Sequence, residues 1–471
     1  MLKIHNSLTG EKEEFKPLRT NEVRMYVCGI TVYDYIHIGH ARMLTVFDLV
    51  QRYLRSRSYK VTYVRNITDI DDKIIQRAAD NGEDWRDLAR RFTVAMHEDC
   101  ATLGLQTPDL EPRATDFIAP IISMTQTLID KGYAYVAGNG DVMYAVRKFP
   151  GYGQLSGKKI DDLRAGSRVQ IEESKLDPLD FVLWKRAKPG EPFWASPWGS
   201  GRPGWHIECS AMSTSLLGTY FDLHGGGMDL KFPHHENEIA QSCAACDSPF
   251  VHVWMHNGFV RINDEKMSKS LANFFTVRDV LKTLRDPEVL RYFLLNSHYR
   301  GPINYSEAQL MQADETLLGF YRALQDAGRV PSLAAQREPR PAELETRGRF
   351  NAAMDDDFNT PDALAVMQGV ARDLNSAKAG GDFEEAATLA ASLREMGQVL
   401  GLLQQPPGLF LKRGVGTASL SDAEIENLLE TRRAARAAKN FAESDRIRAL
   451  LTAAGIVLED KPGGATGWRR A

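Results

Sequence analysis

The strongest constraint on the fold is a strand–helix–strand pattern near the amino terminus. Val23, Met25 and Val27 alternate along the chain as the apolar residues of a strand do. Residues 40–57 then carry apolar side chains near a 3.6-residue period, and residues 59–72 alternate again. This order predicts a βαβ unit of a parallel sheet. Such sheets bind ligands beyond the carboxyl ends of their strands, where the turn between the first strand and the helix lies.

The rest of the chain predicts that this sheet is interrupted and then followed by helices. Residues 108–205 are rich in Pro, Gly and Trp and contain a predicted hairpin around 137–141, which indicates an inserted domain. Strand and helix patterns resume over 219–256, and Ala, Leu and Glu dominate beyond about 305. Two Pro-rich segments read as linkers: 330–341 and 404–419.

Length and composition exclude several classes of protein. A chain of 471 residues has room for about three domains. It has no apolar run of about 18 residues and no signal-peptide core at its amino terminus, so we expect a cytoplasmic protein with no membrane partner. Five sparse cysteines argue against a disulfide framework, and a net charge of −4 neither favours nor excludes nucleic acid as a partner.

Two short motifs have the chemistry of phosphate binding. His37, Ile38, Gly39 and His40 stand where the first helix begins, and glycine, imidazoles and helix N–H groups suit an anion. The segment 266–270, KMSKS, offers mobile lysines that suit phosphate. Taken alone, the first motif is equally a turn with two surface histidines, and the second a solvated loop.

A third group of residues has side chains of the kinds that bind zinc. Cys28 precedes the histidine turn, Cys209 lies in GWHIECSAM, and His234 and Glu238 are spaced to share one face of a predicted helix. For any one of these residues taken singly, a buried core thiol or a solvated helix end is an alternative interpretation.

Together these motifs carry a family resemblance. HIGH followed by KMSKS resembles the paired signatures of class I aminoacyl-tRNA synthetases. The segments VCGITVYDYIHIGHAR, GWHIECSAM, HHENEIAQ and ESDRIRALLTAAGIVLEDKPGGATGWRR resemble cysteinyl-tRNA synthetases over nearly the whole chain. The resemblance implies activation of L-cysteine by ATP, with Mg²⁺, to cysteinyl-adenylate. Transfer to the 3′ end of a cysteine-specific tRNA follows.

The resemblance also implies roles for particular residues. One zinc ion per chain is expected on Cys28, Cys209, His234 and Glu238. The ATP site is expected to comprise His37, Gly39, His40, Lys266, Ser268 and Lys269. Lys266 and Lys269 would stabilise charge on the α-phosphate and departing pyrophosphate, on a loop that closes over ATP.

Further residues are predicted around the amino acid. Two thiolates and a carboxylate outweigh the charge of zinc, so neighbouring donors are expected to compensate. The residues predicted here are Gly29, Thr68, Trp205, His206, His224, Asp229 and His235, with His256 and Asp69 nearby. Asp229 suits either the substrate amino group or the ribose. Cys243 and Cys246 have a zinc-like spacing but are predicted to lie outside the metal site.

The expected fold is α/β: an interrupted Rossmann-like parallel sheet with an inserted domain, a helical bundle and a small mixed anticodon-binding domain. The predicted domains are 1–110 and 206–260 (two halves of the nucleotide-binding catalytic domain), 111–205 (inserted connective domain), 261–305 (KMSKS loop and stem-contact region), 306–402 (helical bundle) and 418–471 (anticodon-binding domain). Residues 411–471 hold 11 basic and 8 acidic side chains, which suits RNA. We expect a monomer.

Two rival functions are weighed against this one. A cysteine ligase acting on an amino-sugar pseudodisaccharide shares the zinc and ATP motifs, but should lack the basic carboxyl-terminal module. A non-catalytic RNA-binding paralogue is disfavoured by the intact HIGH and KMSKS motifs.

Overall fold

The structure is a computed structural model of the chain. It describes residues 1–159, 175–262, 265–266, 274–325, 327, 341–414, 420–460 and 466–470, with only the backbone at 265, 266, 459 and 460. Contacts between Cα atoms divide the chain into two compact units. One comprises Met1–Phe274, Ser297–Asn304 and Asn351–Asp362, and the other comprises Phe275–Asn296, Tyr305–Phe350 and Ala363–Ala471.

The secondary structure alternates strands and helices in the first half of the chain. The strands up to residue 266 are β1 (Lys3–Asn6), β2 (Glu11–Glu14), β3 (Glu22–Thr31), β4 (Lys60–Thr68), β5 (Ala134–Val136), β6 (Val142–Tyr144), β7 (Phe181–Arg186), β8 (Gly201–Pro203), β9 (Phe221–Gly227), β10 (Val251–Asn257), β11 (Val260–Ile262) and β12 (Glu265–Lys266). The helices are α1 (Ile38–Ser56), α2 (Asp72–Asn81), α3 (Trp85–Thr102), α4 (Ile118–Asp130), α5 (Trp205–Leu217) and α6 (Glu236–Cys246).

A four-stranded parallel sheet in the order β10-β9-β3-β4 forms the centre of the first unit. α1 connects β3 to β4, so the βαβ unit predicted from the sequence is confirmed. The helix packs closely on the sheet, because a Cβ atom on Gly225 of β9 would lie 2.1 Å from the Phe47 ring. The interrupted α/β fold places the ends of all four strands at one edge, where this architecture binds its ligands.

The insertion between the halves of the sheet is an antiparallel sheet in the order β5-β6-β7-β8. β5 and β6 pair from Ala134–Tyr144 to Val136–Val142, which confirms the hairpin predicted around 137–141. Gly140 in its turn adopts φ +87°, a conformation that glycine reaches without steric cost. Trp184 of β7 is 1% exposed and anchors the core of this sheet.

Helices dominate the second half of the chain. They are α7 (Val277–Leu281), α8 (Pro287–Leu295), α9 (Glu307–Leu324), α10 (Pro341–Asp355), α11 (Thr360–Ala379), α12 (Phe383–Leu400), α13 (Pro407–Lys412), α14 (Asp422–Ala437) and α15 (Phe441–Ala453). The strands β13 (Ile303–Tyr305), β14 (Ile456–Asp460) and β15 (Thr466–Arg470) accompany them, and β14 pairs antiparallel with β15. Trp468 of β15 joins Ile425 and Ile447 in a small carboxyl-terminal core. No helix in the described ranges is both long and apolar enough to cross a membrane.

The two predicted linkers have different outcomes. Residues 330–340 of the first linker lie outside the described residues. The second prediction is wrong for 407–412, because these residues form α13 and are not an extended linker. Phe410 and Leu411 are buried, and the Phe410 ring stacks on Tyr321 with centroids 4.0 Å apart. Proline at the start of a short helix was misread as a marker of an irregular segment.

Candidate active site and metal centre

The HIGH turn forms a reciprocal cap at the start of α1. His40 N–H donates to Nδ1 of His37 at 3.2 Å, and His37 N–H donates to Nδ1 of His40 at 3.4 Å. The two rings stack with centroids 3.5 Å apart. Because each Nδ1 accepts a backbone N–H, a neutral ring carries its proton on Nε2. The turn therefore combines two imidazole donors with the N–H groups of a helix start, which suits an anion.

A cavity of about 410 Å³ lies at this edge of the sheet. Of the residues predicted for the ATP and amino-acid sites, those that line it are Gly29, His37, Gly39, His40, Trp205 and Asp229. The wall also includes the β9 end (Gly227) and the residues after β10 (Gly258 and Phe259). The cavity thus joins the carboxyl ends of three strands to the start of α1.

Gly29 shows why the chain is irregular at this point. The register between β3 and β4 shifts between Val27 and Ile30, so Gly29 leaves the regular ladder and donates its N–H to Oδ1 of Asn66 at 2.8 Å. A Cβ atom at Gly29 would lie only 1.6 Å from the Asn66 carbonyl oxygen. Glycine is therefore required beside Cys28 by the close approach of β4.

The four predicted metal ligands meet in one buried cluster. Sγ of Cys28 lies 3.6 Å from Sγ of Cys209 and 3.3 Å from Oε1 of Glu238. Nε2 of His234 lies 3.1 Å from the same Oε1. One donor atom from each residue lies within 4.8 Å of the others, and no side chain in this quartet is more than 2% exposed. β3, α5, the turn at 231–235 and α6 supply the four residues.

The charges in the quartet are set by its own contacts. Burial opposes ionisation of Cys209, but hydrogen bonds with Cys28 and His234 lower its pKa to about 6. Burial also opposes ionisation of Glu238, yet His224 and His234 hold its pKa well below the usual range. Burial and the Cys209 contact raise the pKa of Cys28. The quartet therefore combines anionic donors with protons that a divalent cation would replace.

Two of the predicted neighbouring histidines contact residues of the quartet. Nδ1 of His206 lies 2.8 Å from Nδ1 of His234. Nε2 of His224 lies 2.9 Å from Oε2 of Glu238, the carboxylate oxygen that does not contact Cys28. Both contacts leave one atom of the ligand residue directed at the quartet. This is the arrangement in which outer partners orient metal ligands.

A series of hydrogen bonds runs from His235 away from the quartet. Nδ1 of His235 lies 2.8 Å from Nε2 of His256, whose Nδ1 lies 2.8 Å from Oγ of Ser7. Burial lowers the pKa of His235 well below its ordinary value and that of His256 to about 3. Both rings are therefore neutral at physiological pH.

Trp205 connects the quartet to the cavity. Its ring stacks on His234 with centroids 4.2 Å apart, and it is 39% exposed where it lines the cavity. Thr68 is placed differently: it is buried in β4, where its hydroxyl accepts a hydrogen bond from Nδ2 of Asn66 at 3.2 Å. The carboxylate of Asp69 accepts from the hydroxyl of Thr115 at 2.6 Å.

Several predicted residues fall outside these groups. Cys243 and Cys246 belong to neither of the potential metal-binding sets found among the described residues. Ser268 and Lys269 lie outside the described residues, as does the side chain of Lys266, whose backbone is in β12.

The sequence interpretation missed Asn66 and Lys73. Asn66 accepts from Gly29 and lies with Oδ1 3.7 Å from Sγ of Cys209, so it links β4 to the buried quartet. A polar amide near the carboxyl end of a predicted strand, beside the apolar Ile67, was the available signal. Lys73 lines the cavity near HIGH, and only its position just beyond β4 pointed to it.

This fold and this site define a class of enzyme. The chain resembles the solved structure of *Mycobacterium tuberculosis* methionyl-tRNA synthetase bound by methionyl-adenylate, with a TM-score of 0.61, 15% identity and coverage of 83% of this chain and 93% of that one. A ternary complex of *Agrobacterium radiobacter* LeuRS with tRNA and LeuAMS gives a TM-score of 0.58 at 11% identity, covering 84% and 86%. The family described as "tRNA synthetases class I (C) catalytic domain" matches residues 14–315. The protein is a class I aminoacyl-tRNA synthetase.

The remaining matches identify the family. Residues 349–404 match the DALR domain, and residues 420–469 match the "Cysteinyl-tRNA ligase anticodon binding domain". The chain is 60% identical to the Cysteine--tRNA ligase of *Methylococcus capsulatus* over the whole of both sequences. It is also 60% identical to that of *Ralstonia nicotianae*, covering 100% of this chain and 99% of the relative. The chain belongs to the cysteinyl-tRNA synthetase family.

Membership of this family distinguishes between the functions that were considered from the sequence. The enzyme joins cysteine to its tRNA in an ATP-dependent reaction. The match over 420–469 to an anticodon-binding domain disfavours the pseudodisaccharide ligase.

Proposed function

We propose that Cys28, Cys209, His234 and Glu238 bind one zinc ion that selects cysteine. The proposal rests on one observation: donor atoms of two thiols, an imidazole and a carboxylate lie within 4.8 Å of one another in a buried site. Zinc bonds of about 2.0–2.3 Å in a tetrahedron separate the ligand atoms by roughly 3.3–3.8 Å. The observed 3.6, 3.3 and 3.1 Å are close to that spacing. When bound, zinc supplies a soft Lewis-acid centre that favours the thiolate of cysteine over the hydroxyl of serine.

A second set of donors overlaps this quartet. Cys28, His224, His235 and Glu238 also lie within 4.8 Å of one another. The first set is favoured because it has two thiols, which suit zinc better than the single thiol of the second set. The contacts support this choice, since His224 bonds to Oε2 of Glu238, whereas Cys28 and His234 both contact Oε1. Zinc retained in His235→Ala and lost in Cys209→Ala would support the first set, and the reverse result would support the second.

ATP, with Mg²⁺, is assigned to the cavity at the start of α1. The Nε2–H groups of His37 and His40 and the helix N–H groups near Gly39 would donate to phosphate oxygens. Lys266, Ser268 and Lys269 would reach the same phosphates from the KMSKS loop. Together these groups would hold the α-phosphate in line with the substrate carboxylate and would stabilise the departing pyrophosphate.

Cysteine is assigned to the space between Gly29, Trp205 and the quartet. Trp205 contacts both the cavity and His234, so it would cover the bound side chain. Asp229 lines the cavity and would accept either the substrate amino group or a ribose hydroxyl. His206, His224 and His235 would hold the ligands in place, and Thr68 would act through Asn66. No protein nucleophile is needed, because the terminal ribose hydroxyl of the tRNA attacks the adenylate.

The cognate tRNA is assigned to the carboxyl-terminal module as well as to the catalytic unit. Helix α14 carries Arg433 and Arg436, and α15 carries Arg446 and Arg448. Cations on helix faces neutralise phosphates and can read base edges. We further assign the protein to the cytoplasm as a monomer, with the domain boundaries given by the sequence patterns.

The test is cysteine-dependent ATP–pyrophosphate exchange with measured zinc content. Exchange with cysteine but not serine, loss on treatment with a zinc chelator and recovery with added zinc are expected. Charging of a tRNA transcript with a GCA anticodon should follow. Full exchange and unchanged selectivity in demonstrably zinc-free protein would refute the metal assignment.

A further inference from the structure

A second cavity, of about 320 Å³, lies in the first unit outside the ATP and zinc sites. Its wall combines α3 with the residue that follows β4 and with residues of the inserted region. The lining residues that matter here are Asp69, Trp85, Arg86, Arg90, Arg113 and Trp194. Three guanidinium groups against one carboxylate make the wall cationic, in a chain whose net charge is −4.

The cations of this arginine–tryptophan cavity can be reached by a ligand. Arg86 and Arg90 make ion pairs with Asp84 at 3.6 Å and Asp87 at 2.7 Å, but these arginine side chains are 69% and 74% exposed. Exposed ion pairs are weak and exchange readily for a phosphate. The one carboxylate in the wall, Asp69, is 9% exposed and already accepts two hydrogen bonds from Thr115.

The aromatic side chains of the cavity complete a surface suited to a nucleotide. The rings of Trp85 and Trp194 meet edge to face with centroids 6.2 Å apart. The Arg86 guanidinium lies 4.5 Å from the centroid of the Trp85 ring. Indole faces stack on unpaired bases, and arginines beside them contact the phosphates, which is how proteins bind single-stranded nucleic acid.

The position of the cavity links it to the catalytic site. Thr31, at the end of β3, lines the ATP cavity and is paired in register with Thr68 of β4. Asp69, the next residue, lines the arginine–tryptophan cavity. Trp85 and Trp194 pack against the same hydrophobic core that contains Cys28 and Cys209. The two cavities therefore lie beside each other at the ends of the adjacent strands β3 and β4.

From these observations we propose that the arginine–tryptophan cavity binds a nucleotide of the single-stranded 3′ end of tRNA as its terminal ribose enters the catalytic site. The indoles stack on the base, and Arg90 and Arg113 contact the flanking phosphates. This assignment rests on the transfer of cysteine to tRNA. It adds a contact for the 3′ end that is separate from the anticodon-binding domain.

The test compares tRNA charging with amino-acid activation in arginine variants. The double variant Arg90→Ala, Arg113→Ala should raise KM for tRNA on the order of tenfold and leave cysteine-dependent pyrophosphate exchange unchanged. The matched control is Arg91→Ala, which removes the next guanidinium of α3. Arg91 pairs with Glu83 at 2.8 Å and does not line the cavity. Equal effects in the control and the double variant would overturn the assignment.

A shortened RNA distinguishes the 3′ end from the rest of the tRNA. With a tRNA that lacks its single-stranded 3′ end, direct binding to the double variant and to the unaltered enzyme should be equal. A binding defect that persists with the shortened tRNA would place the contact on the duplex and refute the proposal. Loss of pyrophosphate exchange in the variants would likewise refute it, because it would assign these arginines to ATP. An unaltered enzyme that fails to activate cysteine would instead contradict the proposed site chemistry.

Discussion

Two imidazole nitrogens, Nδ1 of His206 and Nδ1 of His234, lie 2.8 Å apart. One nitrogen must donate a hydrogen bond and the other must accept it. Burial and the neighbouring His234 hold the pKa of His206 well below its ordinary value, so His206 is neutral. Because Nε2 of His234 is directed at Glu238, its Nδ1–H donates to His206. This contact fixes the orientation in which the His234 ring faces the proposed zinc site.

Replacing His206 with Ala is therefore expected to weaken zinc binding although His206 is not a ligand. Loss of an outer hydrogen-bond partner typically costs about 10–100-fold in metal affinity. The zinc affinity is measured by competition with a chromogenic chelator. His252→Ala is the matched control, since His252 bonds to Tyr220 at 3.0 Å and belongs to neither donor set. Equal zinc affinity in both variants would show that His206 does not position His234.

Cys209→Ser is expected to lose zinc and selectivity together. A hydroxyl is a poor zinc ligand, and shape alone separates cysteine from serine only weakly. Zinc content and pyrophosphate exchange with each amino acid provide the measurement. Cys243→Ser is the control because that thiol lies outside both donor sets. Full zinc in Cys209→Ser, or loss of zinc in Cys243→Ser, would contradict the four-ligand assignment.

Lys269→Ala is expected to slow adenylate formation with little change in KM for cysteine. The ammonium is assigned to charge that develops on the phosphates in the transition state, so its loss should lower kcat. Lys282→Ala is a suitable control, because that lysine is exposed and pairs with Asp279 at 2.9 Å. A matching loss of cysteine affinity in Lys269→Ala would contradict its role.

Removal of residues 415–471 is expected to spare activation and damage tRNA charging. This cut keeps α13, whose Phe410 stacks on Tyr321, and removes α14, α15, β14 and β15. Their cations supply phosphate contacts, so kcat/KM for tRNA should fall by about 100-fold or more. Pyrophosphate exchange and tRNA charging are measured side by side with the full chain. Normal charging by the shortened chain would exclude an essential role for this module.

Much of the local structure could be predicted because its signals are local. The alternation around Val23–Val27, the helix after His40 and the hairpin around 137–141 each follow from residues adjacent in the chain. The segment 404–419 shows the limit of this approach. Its prolines indicated a linker, whereas burial of Phe410 against Tyr321 stabilises a short helix there. The partner that decided the outcome is 89 residues away, and no local pattern reports it.

The sequence by itself determined the family, the βαβ unit and the residue types available for metal and phosphate chemistry. Only the tertiary structure decided that Cys28 and Cys209 lie 3.6 Å apart and that His206 pairs with His234. It also decided that Trp85 and Trp194 face one cavity. The physical reason is that secondary structure depends on neighbours in the chain. Contacts between residues far apart in the chain instead depend on how the β3 bulge, α5 and α6 pack around one core. The spacing of residues along the chain does not specify that packing.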